Sequence, residues 1–386
     1  MKKICHLGIL ILISFLLSAC SSDRPMDSTT ESTVLNIPLK IDNDAEIVFF
    51  NNENLYYFTD ETNDEKPDLA KKILHEYSFA DQKSNILSSY NDVSIYSGSK
   101  VLNGNNLYLS LTQNNNNILA EINLKNKSSK IIKKWITNPS LAYVYTLKNN
   151  VILFGPNSLD ESSIEYSIDA FNPVNGKEEN VVKKEIKDQK GEILPSLDVD
   201  GDYIYAFSIT ANDDEHEYNI IKYDLTGKQV SIYPFDLKAF LKPSKTLVDQ
   251  DDAIFKIYKE KEYFILNTLN GRVFIFKLIN NKLQPVEIPD AFYKENPSGF
   301  RFIEYYEGES DFAYFYNTFE NNNVITVFNY LSEEITTLKF PKENSIYNYF
   351  RNATGDLIVN KRTEQGLNKF NYYDFETLLK NYEVVH

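Results

Sequence analysis

The stretch Asn219–Tyr233 reads NIIKYDLTGKQVSIY and contains the clearest local pattern in the chain. Apolar and polar residues alternate up to Tyr223, a turn signal follows at Thr226-Gly227-Lys228, and the alternation then resumes. A period of two is typical of a half-buried strand, and glycine among polar residues is typical of a tight turn. The stretch therefore predicts a β-hairpin.

The same pattern recurs along the chain as an aromatic or aliphatic residue, a polar residue, an apolar residue, any residue and a turn residue. Copies are spaced by 45 to 53 residues and begin at Tyr77, Ile122, Phe171, Tyr223, Phe276, Phe328 and Tyr373. A second marker, an apolar strand after a polar turn, precedes each copy and begins near Leu55, Leu107, Val151, Ile204, Ile254, Phe312 and Leu357. Strand-rich units of this period are typical of a β-propeller.

Each unit reads as four strands, and the sixth shows them as FRFIEYY, DFAYFYN, NVITVFNY and EITTLKF. We therefore predict an all-β fold over residues 34–386, a seven-bladed β-propeller of four-stranded antiparallel blades. Six or eight blades and a β-sandwich are the alternatives. Either VLNIPLKI (Val34–Ile41) or the terminal NYEVV could complete the last blade, and we expect both ends to contribute. Lys66–Tyr77 fits a helix as well as a strand.

The segments KYDLTGKQV and AFNPVNGKEENVV resemble the blade ends of PQQ-like and TolB-like β-propellers, in which a strand ends in Asp-x-x-Thr-Gly-Lys. The resemblance covers about a dozen residues per blade and is clear in two units. PQQ enzymes also carry repeated tryptophans and a vicinal cysteine pair, whereas this chain has only Trp135 and no such pair. The resemblance implies an architecture without an activity, and no cofactor is predicted.

The N-terminal residues indicate export. Lys2 and Lys3 precede the apolar run Leu7–Ala19, which is too short to span a bilayer as a helix. The run ends at Leu17-Ser18-Ala19-Cys20, which resembles the lipobox of bacterial lipoproteins. The alternative is an ordinary secretory signal that happens to end in cysteine.

The lipobox resemblance implies a signal peptide at 1–19, lipidation of the Cys20 thiol and anchoring in the cell membrane on its extracytoplasmic face. The polar segment that follows predicts a disordered linker, so that residues 20–33 form a tether. The many Asn, Lys, Ile and Tyr residues, together with the lipobox, indicate a Gram-positive host.

Cysteine and charge exclude several classes of site. The only other cysteine, Cys5, lies within the signal, so the mature chain would have no disulfide and no cysteine-based metal site. The net charge is −15, and loss of the two signal lysines makes it −17. Because nucleic-acid binding depends on neutralising phosphates, no nucleic-acid partner is predicted.

No catalytic, metal or cofactor-binding residue is assigned. The chain lacks the Gly-x-Ser-x-Gly elbow, the sialidase box and a phosphate loop. His75 and His216 are predicted to be exposed or structural. DVDGD (Asp198–Asp202) is the sharpest calcium candidate, but we predict a turn there, and we predict a solvated hairpin at ANDDEHE (Ala211–Glu217).

These observations favour a membrane-anchored binding or scaffold module for a protein, peptide or glycan partner. The alternative is a carboxylate-dependent, glycan-active hydrolase, with aromatic residues such as FIEYY (Phe302–Tyr306) lining its site. A third hypothesis is an assembly scaffold in the cell envelope. The sequence favours a non-enzymatic function and does not identify the ligand.

Overall fold

The structure is a computed structural model. It describes residues 37–63, 66–94, 99–113, 116–135, 143–158, 163–187, 191–212, 215–235, 254–268, 273–286, 300–303, 310–317, 323–340, 346–352, 354–363, 366–375 and 378. These residues belong to one compact unit, Leu35–His386. The predicted signal peptide, Cys20 and the tether lie outside the described residues, as does NYEVV.

The described residues form 28 strands, and adjacent strands pair antiparallel. They are β1 (Ile37–Pro38), β2 (Glu46–Phe50), β3 (Asn54–Asn63), β4 (Lys66–Ser78), β5 (Lys83–Ser94), β6 (Ser99–Asn103), β7 (Asn106–Gln113), β8 (Asn116–Asn123), β9 (Ser128–Trp135), β10 (Tyr143–Leu147), β11 (Asn150–Ser158), β12 (Ser163–Phe171), β13 (Glu178–Lys187), β14 (Gly191–Asp200), β15 (Tyr203–Asn212), β16 (Glu215–Tyr223), β17 (Gln229–Phe235), β18 (Ile254–Glu260), β19 (Tyr263–Thr268), β20 (Val273–Ile279), β21 (Lys282–Pro285), β22 (Phe300–Phe302), β23 (Phe312–Asn317), β24 (Val324–Asn329), β25 (Ile335–Lys339), β26 (Ile346–Arg351), β27 (Leu357–Arg362) and β28 (Asn368–Tyr373).

The strands form four-stranded sheets in chain order. Strands β10–β13, β14–β17, β18–β21 and β22–β25 each make one sheet, and β26–β28 make another together with β1. Strands β2–β9 form an eight-stranded sheet whose two halves meet through the single pair Val93 and Gln113. The all-β prediction is therefore confirmed, and Lys66–Tyr77 is strand rather than helix. Within the described ranges, no helix is long and apolar enough to cross a membrane.

The sheets follow one another around a closed ring. Neighbouring sheets contact each other in chain order, and β2 of the first contacts β26 of the last. Strand β1 pairs with β28, with Ile37 opposite Tyr372, and the Leu39 N–H donates to the Phe370 carbonyl at 2.9 Å. The prediction that Val34–Ile41 supplies an outer strand to the last sheet is confirmed for Ile37–Pro38.

The polar second position of the repeat starts the hairpin between the third and fourth strands. In the NIIKYDLTGKQVSIY stretch, Asp224 Oδ1 accepts the N–H groups of Thr226 and Lys228 at 2.8 and 3.1 Å. Asn172 and Asn329 accept turn N–H groups in the same way in two other sheets. A short side-chain acceptor that bonds the backbone two residues ahead stabilises a turn locally. The predicted hairpin is confirmed.

The fifth copy of the repeat lies in register with the others, because Phe276 pairs with Phe264 in the second strand of its sheet as Tyr223 pairs with Ile204. Phe276 lies in the middle of β20, and the hairpin is the two-residue turn Asn280-Asn281, with φ of 50° and 58°. The second marker near Ile254 is wrong, because Ile254 begins β18, the first strand of its sheet, rather than the second. A turn of two left-handed asparagines needs no capping side chain, so the sequence pattern there differs from the other copies.

Aromatic side chains fill the space between sheets. Between β14–β17 and β18–β21, Phe207 and Phe235 are buried with Phe264 and Phe276. The Phe235 and Phe276 rings lie 5.7 Å apart in a tilted arrangement. Packing of this kind accounts for the many tyrosines and phenylalanines, because each sheet must bury both faces against its neighbours.

Candidate functional site

The first strand of each group of four lines a central channel, and we call these the inner strands: β2, β6, β10, β14, β18, β22 and β26. A cavity of about 400 Å³, the main channel cavity, is lined by residues of β6, β10, β14 and β18 with Phe302 and Ser310. Its charged lining residues are Lys100, Asp198, Asp200, Lys256, Lys259, Glu260 and Lys261. The channel therefore presents both signs of charge from neighbouring sheets.

An inner strand has a sheet partner on one side only, so the N–H and C=O groups along its other edge need partners from elsewhere. Side chains of the preceding inner strand supply acceptors for some of these N–H groups. The pairs are Ser99 Oγ with Val144 N at 3.0 Å, Ser196 Oγ with Ile257 N at 3.0 Å, and Asp198 Oδ2 with Lys259 N at 2.7 Å. The ring is thus joined at its centre by hydrogen bonds.

Cationic side chains of the inner strands donate to backbone carbonyl groups of neighbouring strand groups. Lys100 Nζ donates to the Ile47 carbonyl at 2.9 Å. Arg351 is buried, and its Nε donates to the Ile303 carbonyl at 2.7 Å while Nη1 donates to the Phe312 carbonyl at 2.6 Å. The guanidinium also lies 5.2 Å from the centre of the Phe302 ring. Arg351 therefore links the last sheet to the one before it.

Asp198 lies in the channel wall. Burial raises the pKa of its carboxyl to about 7, although the backbone N–H groups of Lys259 and Val199 act in the opposite direction. The next acid on the same face, Asp200, lies 3.3 Å from the buried Lys259 ammonium. Since removing a carboxylate from water disfavours its charged form, Asp198 gains or loses its proton near neutral pH.

The prediction that DVDGD forms a turn is wrong for its first three residues. Asp198–Asp200 are the end of β14, and only Gly201-Asp202 turns toward Tyr203. The Asp202 carboxylate lies 3.2 Å from the Lys148 ammonium, away from the partners of Asp198 and Asp200. The described part of the chain contains no group of three or more His, Cys, Asp or Glu side chains that could hold a metal ion.

His75 and His216, the histidines singled out from the sequence, belong to β4 and β16. His75 is half-buried in β4, where its ring stacks on Tyr57 with centroids 4.8 Å apart and Nε2 lies 2.8 Å from Thr59 Oγ1. Burial lowers its pKa. This structural role confirms the prediction for His75. His216 pairs with Ala211 across the predicted hairpin, where β15 ends at Asn212 and β16 begins at Glu215.

Phe302 is the one aromatic residue predicted for a ligand site that the structure places in the channel, because it lines the main channel cavity. The rest of FIEYY after Ile303 lies outside the described residues. Sequence reasoning missed Lys100, Ser196 and Arg351. No local signal marks them, because in a segment such as SLDVD polar and apolar residues alternate as they do on any half-buried strand.

The fold is that of a β-propeller, as comparison with solved structures shows. The β-propeller domain of the Trilobed protease from Pyrococcus furiosus, which has an open velcro topology, superimposes with a TM-score of 0.52 at 10% identity, over 86% of this chain and 94% of that domain. The acylaminoacyl peptidase of Pyrococcus horikoshii gives 0.53 at 11% identity, over 86% of this chain and 51% of that one.

Another acylaminoacyl peptidase structure, in complex with Z-Gly-Gly-Phe-chloromethyl ketone, gives a TM-score of 0.54 at 10% identity. The chain spans about half the length of both peptidases. No protein-family model matches the chain, and no curated protein is significantly similar to it in sequence. At these identities the similarity establishes the fold alone.

Proposed function

We propose that the chain is a lipid-anchored, extracytoplasmic, seven-bladed β-propeller that binds a protein, peptide or glycan partner through its central channel. The seven blades are supported by the 28 described strands, if the eight-stranded sheet counts as two blades joined by one residue pair. The anchor is supported by the lipobox ending in Cys20, since two acyl chains hold a protein stably on a membrane.

The main channel cavity carries the binding part of this proposal. Its volume of about 400 Å³ lies within the range of small-molecule and cofactor sites, roughly 300–1,000 Å³. Its polar walls are held in place before any ligand arrives, because Asp198 accepts two backbone N–H groups and Asp200 lies beside Lys259. A preorganised site loses less conformational entropy on binding, which favours recognition.

The anchor is tested by Cys20→Ser in cells grown with a labelled fatty acid. We expect the variant to lose the acyl label and to leave the membrane fraction or accumulate as the precursor, because the serine hydroxyl cannot accept the thioether-linked lipid. Cys5→Ser is the control, and it should keep both the label and the membrane location. Continued acylation of the Cys20→Ser protein would contradict the lipobox assignment.

The binding site is tested by placing a photo-cross-linking aromatic residue at Tyr143, which lines the main channel cavity and is 36% exposed. We expect irradiation of intact cells to join the chain to one reproducible partner. The same residue at Ile86, which is 66% exposed on outer strand β5, should give no such product. Equal products from both positions would contradict a channel site, and a stoichiometric envelope protein would favour the scaffold role.

One observation favours the hydrolase alternative. Glycoside hydrolysis commonly uses a pair of carboxyl groups, one of them with a raised pKa, and Asp198 has a raised pKa and lies two residues from a second carboxyl group, Asp200, on one strand. Both Asp198 oxygens, however, already accept backbone N–H groups. Turnover of a glycan by the purified chain, lost in Asp200→Asn, would favour the hydrolase over the binding module.

A further inference from the structure

A second, smaller cavity lies in the channel beside the main one. Its volume is about 160 Å³, and residues of β2 and β26 line it together with Lys100 of β6 and residues at the end of β22. Phe49, Phe302 and Tyr349 are among the aromatic residues of this lining. We call it the cationic cavity, because of the two charged residues described next.

The charged residues of this lining are Lys100 and Arg351, and the described lining residues include no carboxylate. This sign is opposite to that of the chain, which has 55 acidic and 40 basic residues. Two cations at one cavity create a local positive potential in an otherwise acidic protein, and low-dielectric walls concentrate the field inside. The cavity therefore attracts anions that the outer surface repels.

We propose that the cationic cavity binds the carboxylate of a ligand with a small aromatic or aliphatic body. The buried Arg351 guanidinium, held by the Ile303 and Phe312 carbonyls, contributes a fixed positive charge to the cavity wall, and the Lys100 ammonium contributes a second one. The aromatic lining accommodates an apolar body next to that charge. This combination selects a monocarboxylate over a sugar, whose many hydroxyl groups would lose hydrogen bonds to water on entering an aromatic cavity.

The size of the cavity supports this class of ligand. An apolar cavity of about 150 Å³ admits a benzene ring. At about 160 Å³, the cationic cavity accommodates a group of the size of a benzoate ring or a phenylalanine side chain, but not an oligosaccharide. Lys100 and Phe302 line both cavities, so a longer ligand bound by its carboxylate in the smaller cavity can continue into the main one.

Two sources share this chemistry: a free small acid and the C-terminus of a peptide. The inference rests on the proposed binding function and narrows it to one ligand group.

It is tested on the purified full chain in detergent by calorimetric titration with benzoate, with benzamide as the neutral probe of equal shape. We expect benzoate to bind more weakly as salt rises from 0.1 to 1 M, because the Debye length falls from about 10 Å to about 3 Å and the attraction is screened. Benzamide, which carries no charge, should not bind.

Variants of Lys100 test whether its charge holds the ligand. Lys100→Met keeps the side-chain length without the charge and should weaken benzoate binding at least tenfold, while Lys100→Arg should retain it. Lys125→Met, at an exposed lysine in the hairpin after β8, is the matched control and should change nothing. Circular dichroism and the thermal midpoint of each variant establish that the fold is intact.

Peptides ending in Phe separate the two sources. Binding of the free-acid peptide tighter than benzoate, and lost on C-terminal amidation, indicates a peptide terminus, whereas tighter binding of benzoate indicates a small acid. No binding of any probe, equal binding of benzamide, or unchanged binding by Lys100→Met would overturn the inference. A partner still cross-linked through position 143 in that case would leave the binding function standing.

Discussion

Replacing Gly227 with alanine is expected to destabilise the propeller by at least ~3 kcal/mol. Gly227 has a φ of +79°, in the left-handed region, and an added Cβ would lie 2.0 Å from the Val181 carbonyl oxygen and 3.1 Å from its carbon. Both are backbone atoms of β13 in the neighbouring sheet, so no side-chain rotation can relieve the contact. The hairpin or the adjoining sheet must shift, which disturbs packing between two blades.

Gly176→Ala is the matched control for this prediction. Gly176 occupies the corresponding hairpin of the preceding sheet and has a φ of +70°, but no atom lies within 4 Å of its added Cβ. The free energy of unfolding of its alanine variant should fall by about 1 to 2 kcal/mol, which is the cost of placing an L-residue in the left-handed region. Denaturant unfolding of the three proteins measures the comparison. Equal losses for both variants would contradict the contact between Gly227 and Val181.

The comparison shows how far the repeat could be predicted from sequence. The hairpin at Tyr223–Gln229 follows from local chemistry: an alternating strand, an Asp acceptor and a glycine. The proximity of Gly227 to Val181 depends on how two sheets pack, and no local pattern encodes it. The same limit explains the error at Ile254, because the order in which strands pair within a sheet decides whether an apolar run is its first or its second strand.

The site was less predictable than the fold for a related reason. Ser196 and Asp198 bond N–H groups 61 residues further along the chain, at a junction that exists only when the inner strands come together. Arg351 bonds carbonyl groups 48 and 39 residues earlier. In sequence these residues resemble ordinary solvent-facing positions of a strand, and DVDGD resembles a turn or a calcium loop. Their roles follow from ring geometry.

Protonation of Asp198 is expected to make the stability of the propeller depend on pH. Its pKa is about 7 in the folded chain, against the usual 3.8, because burial disfavours the carboxylate. Between these two values the folded chain holds a proton that the unfolded chain has released. Stability therefore falls as pH rises through that range, by about 1.4 kcal/mol per pH unit from this group alone. Below the lower value and above the upper one, this contribution to the pH dependence vanishes.

Asp198→Asn should remove that slope, because the amide has nearly the same shape and does not titrate. Denaturant unfolding at pH 4.5 and pH 8 measures this slope. Between the two pH values, the free energy of unfolding of the wild-type protein should fall by up to about 3 kcal/mol more than that of the variant. Ser196→Ala is the control: it leaves the Ile257 N–H without its 3.0 Å partner, a loss that is independent of pH. If the wild-type and Asp198→Asn curves are parallel, Asp198 is already ionised throughout the range. The channel wall would then hold a permanent carboxylate between β14 and β18, and its affinity for anions would not rise on acidification.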